Sequence, residues 1–264
     1  TITGINTDAV APTISKFDVV PESSETLGIG KTVIYTATAS EVMSADTSMS
    51  ITLSNSVTVT LTVVADTPTT LAGTYTISAD DDVDDLTITA YSALTAEDLS
   101  GNSLSTTTDI GDITGSGTQG IVVEATAPTA EILASGHTYN ASTGVLTLAA
   151  KELSTMGAAD GDDVKAQVDM TKLSWDINKL GSSLETFENT DVTTIIQTST
   201  DVLTITFTAE KTAELAGTTD FGGQSSNLDG LDIDEGFLND DVGNASEQDD
   251  VNNADVAMTD TIAP

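Results

Sequence analysis

The sequence predicts an all-β fold built as two tandem β-sandwich domains, the second of which carries short helical insertions. Composition, a widely spaced repeat and a series of short strand patterns predict it. At about 100 to 150 residues per domain, the 264 residues accommodate two domains of ordinary size. Aromatic residues make up only 4%, so we expect cores of Val, Ile, Leu and Ala. The many threonines favour strands, because branched β-carbons fit a pleated surface.

One short pattern marks the domain boundaries. An acidic residue is followed four positions later by the proline of an Ala-Pro pair, in residues 8–12, 124–128 and 260–264. The prolines are 116 and 136 residues apart, which are domain lengths. We therefore predict a first domain over residues 1–124 and a longer one over 125–264. Residues 1–8 are left open as a linker or as the last strand of a preceding repeat. The third copy indicates a fragment of a longer array.

Two further landmarks recur in the same order in both halves. A D-x-x-G-N motif runs from Asp98 to Asn102 and again from Asp240 to Asn244. The first long strand of each half is followed by a glutamate, Glu41 in one and Glu152 in the other. Three landmarks in one order indicate that the halves are related repeats.

Between the landmarks, strand patterns alternate with acidic or Gly/Pro turns. In the first half we predict strands over residues 50–64, 73–78 and 86–92. In the second half, residues 208–217 begin with an N-cap threonine and end in glycine, which predicts a short helix. A second helix is expected over 162–173, before a strand around Trp175, whose side chain we expect in the core.

The charge balance excludes several classes of function. The chain has 42 acidic residues against seven basic ones, a formal net charge of -35. Residues 1–124 hold 17 acids and 2 lysines, and the remainder holds 25 acids and 5 lysines, so both halves share the property. Such a chain is repelled by phosphate backbones and anionic lipid, so neither nucleic acid binding nor direct membrane insertion is expected. Cations are the natural partners.

No catalytic constellation is found. The chain has no cysteine, and its only histidine, His137, is expected on the surface of a turn. We therefore predict neither a zinc site nor an enzyme. No disulfide can stabilise the domains, which makes a bound metal ion an obvious alternative. No run of 18 apolar residues and no signal peptide occurs.

The landmarks together resemble the Ig-like and cadherin-like repeats of large bacterial cell-surface adhesins and S-layer-type proteins. This resemblance implies Ig-like sandwiches and a secreted protein at the bacterial cell surface. It implies a calcium-stabilised structural spacer, with neighbouring repeats of the same chain as partners. One alternative is an S-layer or filament subunit that contacts like subunits. A second is a carbohydrate-binding module that stacks glycans on an exposed Trp175.

Candidate calcium ligands follow from the Ig-type topology. The amino terminus and two of the loops lie at one pole of such a sandwich, and Ca²⁺ takes about six to eight hard oxygen ligands. The residues predicted to converge in the first domain are Asp8, Glu41, Asp98 and Asn102, and those in the second are Glu124, Glu152, Asp240 and Asn244. The open alternative is that D-x-x-G-N is a turn in which the aspartate caps local amides.

Two other features compete for attention. Dense acidic runs cover residues 80–85 and 229–235. Neither has EF-hand spacing, and the first is expected to be a solvated hairpin turn. Asn140-Ala-Ser and Asn244-Ala-Ser match the acceptor pattern for N-glycosylation.

Overall fold

The computed structural model of the chain describes residues 8–179, 184–221 and 229–260. It divides into two compact units, Thr1–Thr126 and Ala127–Pro264. In the described residues almost all regular structure is strand, and a single α-helix occurs. The predicted all-β class is confirmed, whereas the finer Ig-like sandwich assignment stays a prediction. No helix in this part of the chain is long and apolar enough to cross a membrane.

The first unit contains one antiparallel sheet of six strands. Their order across the sheet is β1-β2-β5-β4-β3-β6. A short 3-10 helix covers Ile110–Asp112. The strands are β1 (Ile14–Pro21), β2 (Thr32–Ala39), β3 (Ser48–Leu53), β4 (Thr58–Val64), β5 (Thr67–Thr76) and β6 (Ile88–Ser92).

Strict alternation along β2 shows how the sequence directs this sheet. Val33, Tyr35 and Ala37 have no exposed surface, while Thr32 and Thr36 on the other face are partly exposed. Because successive side chains of a strand point to opposite faces, this alternation buries one face and leaves the threonine face to solvent.

The single strand predicted over 50–64 is wrong, because a tight turn divides it into β3 and β4. Ser56 has a positive φ of 68°. Its N–H donates to Leu53 O at 2.9 Å, and Asn55 Oδ1 accepts the N–H of Val57 at 3.3 Å. Neither glycine nor proline marks the turn, and the apolar alternation continues across it.

The acidic run at 80–85 is a crossover and not the predicted hairpin turn. It connects β5 to β6, which do not pair with each other. Its backbone pairs with the end of the unit: Val83 N–H donates to Val123 O at 3.0 Å, and Leu86 N–H donates to Ile121 O at 2.8 Å.

The second unit contains a sheet of nine strands in the order β11-β10-β14-β15-β8-β9-β13-β12, with β7 paired to β9. Among the paired strands that the structure describes in this sheet, only β15 and β8 run parallel. The strands are β7 (Glu131–Ile132), β8 (His137–Asn140), β9 (Val145–Lys151), β10 (Leu173–Asp176), β11 (Leu184–Thr186), β12 (Val192–Ser199), β13 (Val202–Phe207), β14 (Gly230–Ile233) and β15 (Val251–Asp260).

Short helices interrupt these strands. The predicted helix at 208–217 is present as α1 (Ala209–Gly217), and the Thr208 side chain accepts the N–H of Lys211 at 3.2 Å. In the described residues of the second unit, the other short helices are of the 3-10 type, at Leu153–Met156, Lys165–Gln167, Met170–Lys172, Ile177–Lys179 and Asn189–Asp191.

The second predicted helix, over 162–173, is wrong. Only two short 3-10 turns form here, at Lys165–Gln167 and Met170–Lys172. The rest of the backbone bonds to distant segments: Val164 N–H donates to Ile195 O at 2.7 Å, and Val168 forms a β-bridge with Leu238. The Asp169 side chain accepts the N–H of Thr171 and starts a new short turn. Branched valines and a capping aspartate disfavour a continuous helix here.

Trp175 and His137, both in the second unit, test two predictions about burial. Trp175 has no exposed surface and packs edge-on against Tyr139, with ring centroids 5.1 Å apart, so its predicted place in the core is confirmed. His137 was expected on the surface, but only 1% of it is exposed. It begins β8, and its Nδ1 accepts the N–H of Ala149 at 3.3 Å.

Candidate functional site

The first D-x-x-G-N loop is organised around the carboxylate of Asp98. Its Oδ1 accepts the N–H of Ser100 at 2.7 Å and of Asn102 at 2.9 Å, and its Oδ2 accepts from Asn102 Nδ2 at 2.7 Å. Gly101 has a φ of 83°, a conformation that glycine adopts without strain. The motif therefore specifies a capped turn.

The second copy of the motif repeats this geometry. Asp240 Oδ1 accepts the N–H of Val242 at 3.0 Å and of Asn244 at 2.7 Å, and its Oδ2 accepts from Asn244 Nδ2 at 2.8 Å. Gly243 has a φ of 91°. The sequence match thus corresponds to one local structure used twice, and the turn interpretation left open above is realised in both units.

In the first unit, three of the predicted ligands come together. One carboxylate oxygen from each of Asp8, Glu41 and Asp98 lies within 4.8 Å of the others. Asp8 is exposed, Glu41 is half-buried and Asp98 is buried. Among the described residues, no other group of three or more acidic or histidine side chains is this close. We call these three residues the carboxylate cluster.

Three separate segments position the cluster. Glu41 follows the end of β2, and two residues later Met43 bridges to Asp98. Ser44 Oγ donates to the backbone carbonyl of Asp98 at 2.6 Å. Asn102, the fourth predicted ligand, donates from Nδ2 to the carbonyl of Asp8 at 3.3 Å. The motif thereby joins the amino-terminal segment to the loop after β2.

No protein cation neutralises the cluster in the part of the chain that the structure describes. The first unit has two lysines, of which Lys16 pairs with Asp18 and Lys31 with Glu22. Partial burial and the charges of Asp8 and Asp98 raise the pKa of Glu41. The cluster is therefore a centre of uncompensated negative charge.

Asp98 behaves differently from Glu41. Burial opposes its ionisation and is the largest single influence. The hydrogen bonds from Asn102, Ser100 and Gly101 together outweigh burial and hold the pKa of Asp98 below its usual range. Asp98 therefore carries a fixed charge toward which the other two carboxylates converge.

The donor set of the cluster suits a hard cation. It consists of carboxylate oxygens, with no sulfur or imidazole nitrogen among them, which is the chemistry that Ca²⁺ prefers. Asp8, Glu41 and Asp98 could hold the ion. Asn102 Nδ2 bonds to Asp98 and to Asp8, so its amide nitrogen serves to position the ligands.

The second predicted set is not brought together within one unit. Glu124 lies in the first unit, where its N–H donates to Leu27 O at 3.0 Å. Glu152, Asp240 and Asn244 lie in the second unit. Glu152 is exposed and follows β9 directly. A metal site of these four residues stays a prediction.

The acidic run at 80–85 has a structural role that the sequence did not reveal. Asp82 Oδ1 accepts the N–H of Ala125 and its Oδ2 accepts from Thr126 Oγ1, each at 2.6 Å. Asp85 Oδ1 accepts the N–H of Gly120 at 2.8 Å. Asp81 Oδ2 accepts the hydroxyl of Tyr75 at 2.5 Å. Their partners lie up to 44 residues away, so no local motif signals these bonds.

Part of the acidic run at 229–235 also has a structural role. Asp232 Oδ1 accepts the N–H of Asn253 at 2.6 Å, and this bond joins β14 to β15. Asp229 is only 3% exposed. The part of this run within β14 therefore belongs to the sheet, whereas Asp234 and Glu235 are exposed beyond the end of the strand.

Comparisons with known proteins give distant similarities to solved structures. No protein-family model matches the chain, and no curated protein matches it either. A solved structure from a 1.5-MDa bacterial ice-binding adhesin is 18% identical, with a TM-score of 0.33, over 94% of this chain. The Ca²⁺-stabilized adhesin with which an Antarctic bacterium binds ice is 20% identical, also with a TM-score of 0.33, over 95%.

A third similar structure is a DUF4785 family protein from Legionella pneumophila, 9% identical over 74% of this chain, with a TM-score of 0.23. This chain spans 65%, 50% and 48% of the three matched chains, respectively. Likenesses at these TM-scores carry no argument about function.

Proposed function

We propose that this chain is a non-catalytic structural spacer of a bacterial cell-surface adhesin, made of Ig-like repeats that calcium stabilises. The observation that carries the proposal is the carboxylate cluster, in which residues 8, 41 and 98 converge from three separate segments of the sequence. The protein would act outside the cell, where calcium is abundant and a chain without cysteine needs another means of stabilisation.

The physical reason is the cost of the cluster without a cation. Three carboxylates within 4.8 Å repel one another. Partial burial, followed by this repulsion, raises the pKa of Glu41. A bound Ca²⁺ would supply positive charge and accept oxygen ligands from all three. Because Asp8, Glu41 and Asp98 assemble only in the folded unit, the ion binds the native state and stabilises it by mass action.

Stabilisation at this place would stiffen the amino-terminal entry to the unit. Asp8 precedes β1 by six residues, and its segment is joined to the D-x-x-G-N loop by Asn102. An ion shared by Asp8, Glu41 and Asp98 would fix the direction in which the chain enters the sheet. Linked domains otherwise move relative to one another, so this restraint is what an elongated spacer requires.

Differential scanning calorimetry tests the proposal. With calcium at 100 times its dissociation constant, the stabilisation is about 2.7 kcal/mol. For a unit of this size that corresponds to a rise in Tm of roughly 10 °C. We expect the rise with CaCl₂ and its loss with EDTA, while NaCl at matched ionic strength gives a much smaller change. Equal melting in CaCl₂, EDTA and NaCl would contradict the calcium proposal.

The glycan-binding and lattice-subunit alternatives predict different properties of the protein. The glycan-binding alternative required an exposed Trp175, and that side chain is enclosed in the second core. A lattice subunit would form sheets or fibres with calcium, whereas a spacer stays monomeric. Electron microscopy of the calcium-loaded protein distinguishes these outcomes.

A further inference from the structure

The chain contains the tripeptide Asn-Ala-Ser twice, and the structure gives its two copies opposite environments. The copy at Asn140 ends β8 and opens the turn that leads to β9. The copy at Asn244 ends the second D-x-x-G-N loop. Because the sequences are identical, any difference between them as targets for modification comes from the fold.

Asn244 is enclosed and bonded. Only 1% of it is exposed, and its Nδ2 donates to Asp240 Oδ2 at 2.8 Å. The Ser246 hydroxyl of the same copy is also buried. An enzyme could reach this amide nitrogen only by opening the loop and breaking the Asp240 bonds.

Asn140 is half-buried, and in the part of the chain that the structure describes its side chain is bonded through its oxygen and not its nitrogen. Its Oδ1 accepts the N–H of Ser142 at 3.1 Å, the Ser142 hydroxyl at 2.9 Å and the N–H of Thr143 at 3.1 Å. This Asx turn directs Oδ1 into the turn. Among the described residues Asn140 Nδ2 has no hydrogen-bond partner, and it keeps some solvent-accessible surface. Ser142 and Thr143 are exposed at the tip of the turn.

The same hydrogen bonds favour reaction at nitrogen. Glycosyl transfer to an amide requires Nδ2 to lose a proton and form a bond to the sugar C1, and negative charge then develops on Oδ1. Three donors already directed at Oδ1 stabilise that charge, in the way that fixed donors stabilise an oxyanion. Ser142 at the second position after the asparagine supplies two of the three donors, which gives the acceptor pattern a physical role at this site.

We propose that Asn140 is an N-glycosylation site of the folded protein and that Asn244 is not. The donor would be a sugar activated as a glycosyl diphosphate. The new bond joins sugar C1 to Asn140 Nδ2, the bond from C1 to the diphosphate oxygen breaks, and the Nδ2 proton passes to a base of the transferase. The product is a glycan on a hairpin tip of the second unit.

The test treats the folded chain with UDP-glucose and a soluble N-glycosyltransferase that recognises Asn-X-Ser/Thr, followed by intact-mass and peptide analysis. We expect one hexose, on Asn140. Asn140→Gln and Ser142→Ala should each lower total occupancy at least tenfold, and Asn244→Gln should leave it unchanged. In urea concentrations that the transferase tolerates and that open the second unit, Asn244 should also react. A folded wild-type chain that gains no hexose, or gains it on Asn244, would overturn the proposal.

Discussion

Replacement of Asp82 by Asn should destabilise the first unit, although the residue lies in an acidic loop and is exposed. In the wild-type chain its two carboxylate oxygens accept from Ala125 N and Thr126 Oγ1, both at 2.6 Å. These bonds fasten the last residues of the unit to the crossover between β5 and β6. The Asn amide keeps one acceptor, loses the charge and presents N–H₂ where Oδ2 accepted a hydroxyl.

The expected magnitude follows from the number and exposure of these bonds. A hydrogen bond to a charged group contributes about 1.5–3 kcal/mol when it is shielded from water. Solvent at this exposed position reduces the contribution to about 1 kcal/mol per bond. Loss of one bond and weakening of the other therefore predicts a decrease of about 1–2 kcal/mol, which lowers Tm by roughly 5 °C.

Calorimetry and hydrogen exchange provide the assay. The only tryptophan, Trp175, is in the second unit, so its fluorescence serves as an internal control that Asp82→Asn should leave unchanged. Exchange of the amides at 121–125 should accelerate. Asp84→Asn is the matched control, because Asp84 belongs to the same acidic run and has no hydrogen-bond partner among the described residues. Equal effects of the two substitutions would refute the reasoning.

The pH dependence of stability provides a second test of the Asp82 hydrogen bonds. The hydrogen bonds from Thr126 and Ala125 lower the pKa of Asp82. An aspartate with a lowered folded-state pKa contributes stability that is full above the unfolded value of about 4 and is lost as pH falls through the folded value. The stability difference between wild type and Asp82→Asn should therefore be largest above pH 4 and should shrink as pH falls through the lowered pKa of Asp82.

Three other predictions follow from single side chains. The pKa of Glu41 is raised in the folded state, so its protonated form favours folding below about pH 4, and this stability is lost as pH rises through the folded-state pKa. Calorimetry in EDTA should show this loss, and calorimetry in CaCl₂ should not. In EDTA, the loss should also be absent from Glu41→Gln. Burial lowers the pKa of His137, so the second unit should lose stability as pH falls from about 6.5 toward the folded-state pKa. In His137→Gln this dependence of stability on pH, measured by Trp175 fluorescence in urea, should be absent. An unchanged dependence would assign it to other groups. Trp175→Ala should cost the second unit about 3–5 kcal/mol through the cavity it leaves without moving the calorimetric transition of the first unit, and a shift in both transitions would contradict independent cores.

Local patterns carried most of the fold that could be predicted. Helix α1 was predicted because its N-cap threonine and closing glycine lie within ten residues of each other. The D-x-x-G-N loops were recognised because the hydrogen bonds that close each turn are made within five residues. Where structure depended on distant partners, prediction failed. Residues 162–173 were predicted to form one helix, but their backbone also bonds to β12, and only two short 3-10 turns form.

Some features of the candidate site could likewise be predicted from the sequence, and others could not. Residues 8, 41 and 98 were linked by the order of landmarks and an assumed topology, and the structure brings their carboxylates together. The roles of Asp82 and Asp85 depend on contacts with residues 119–126, more than 30 positions away. His137 was placed on the surface from its glycine-containing surroundings, whereas pairing of β8 with β9 and β15 encloses its ring.

Isothermal titration calorimetry with calcium tests the central claim most directly. The wild-type chain should bind calcium with at least one site that disappears in Glu41→Gln and in Asp8→Asn. These substitutions remove charge from the carboxylate cluster and leave the Asp98 turn intact. Asp66→Asn, which changes an exposed aspartate outside the cluster, should keep the wild-type stoichiometry. A wild-type chain that binds no calcium, or a Glu41→Gln chain with unchanged stoichiometry and affinity, would contradict a calcium site at Asp8, Glu41 and Asp98.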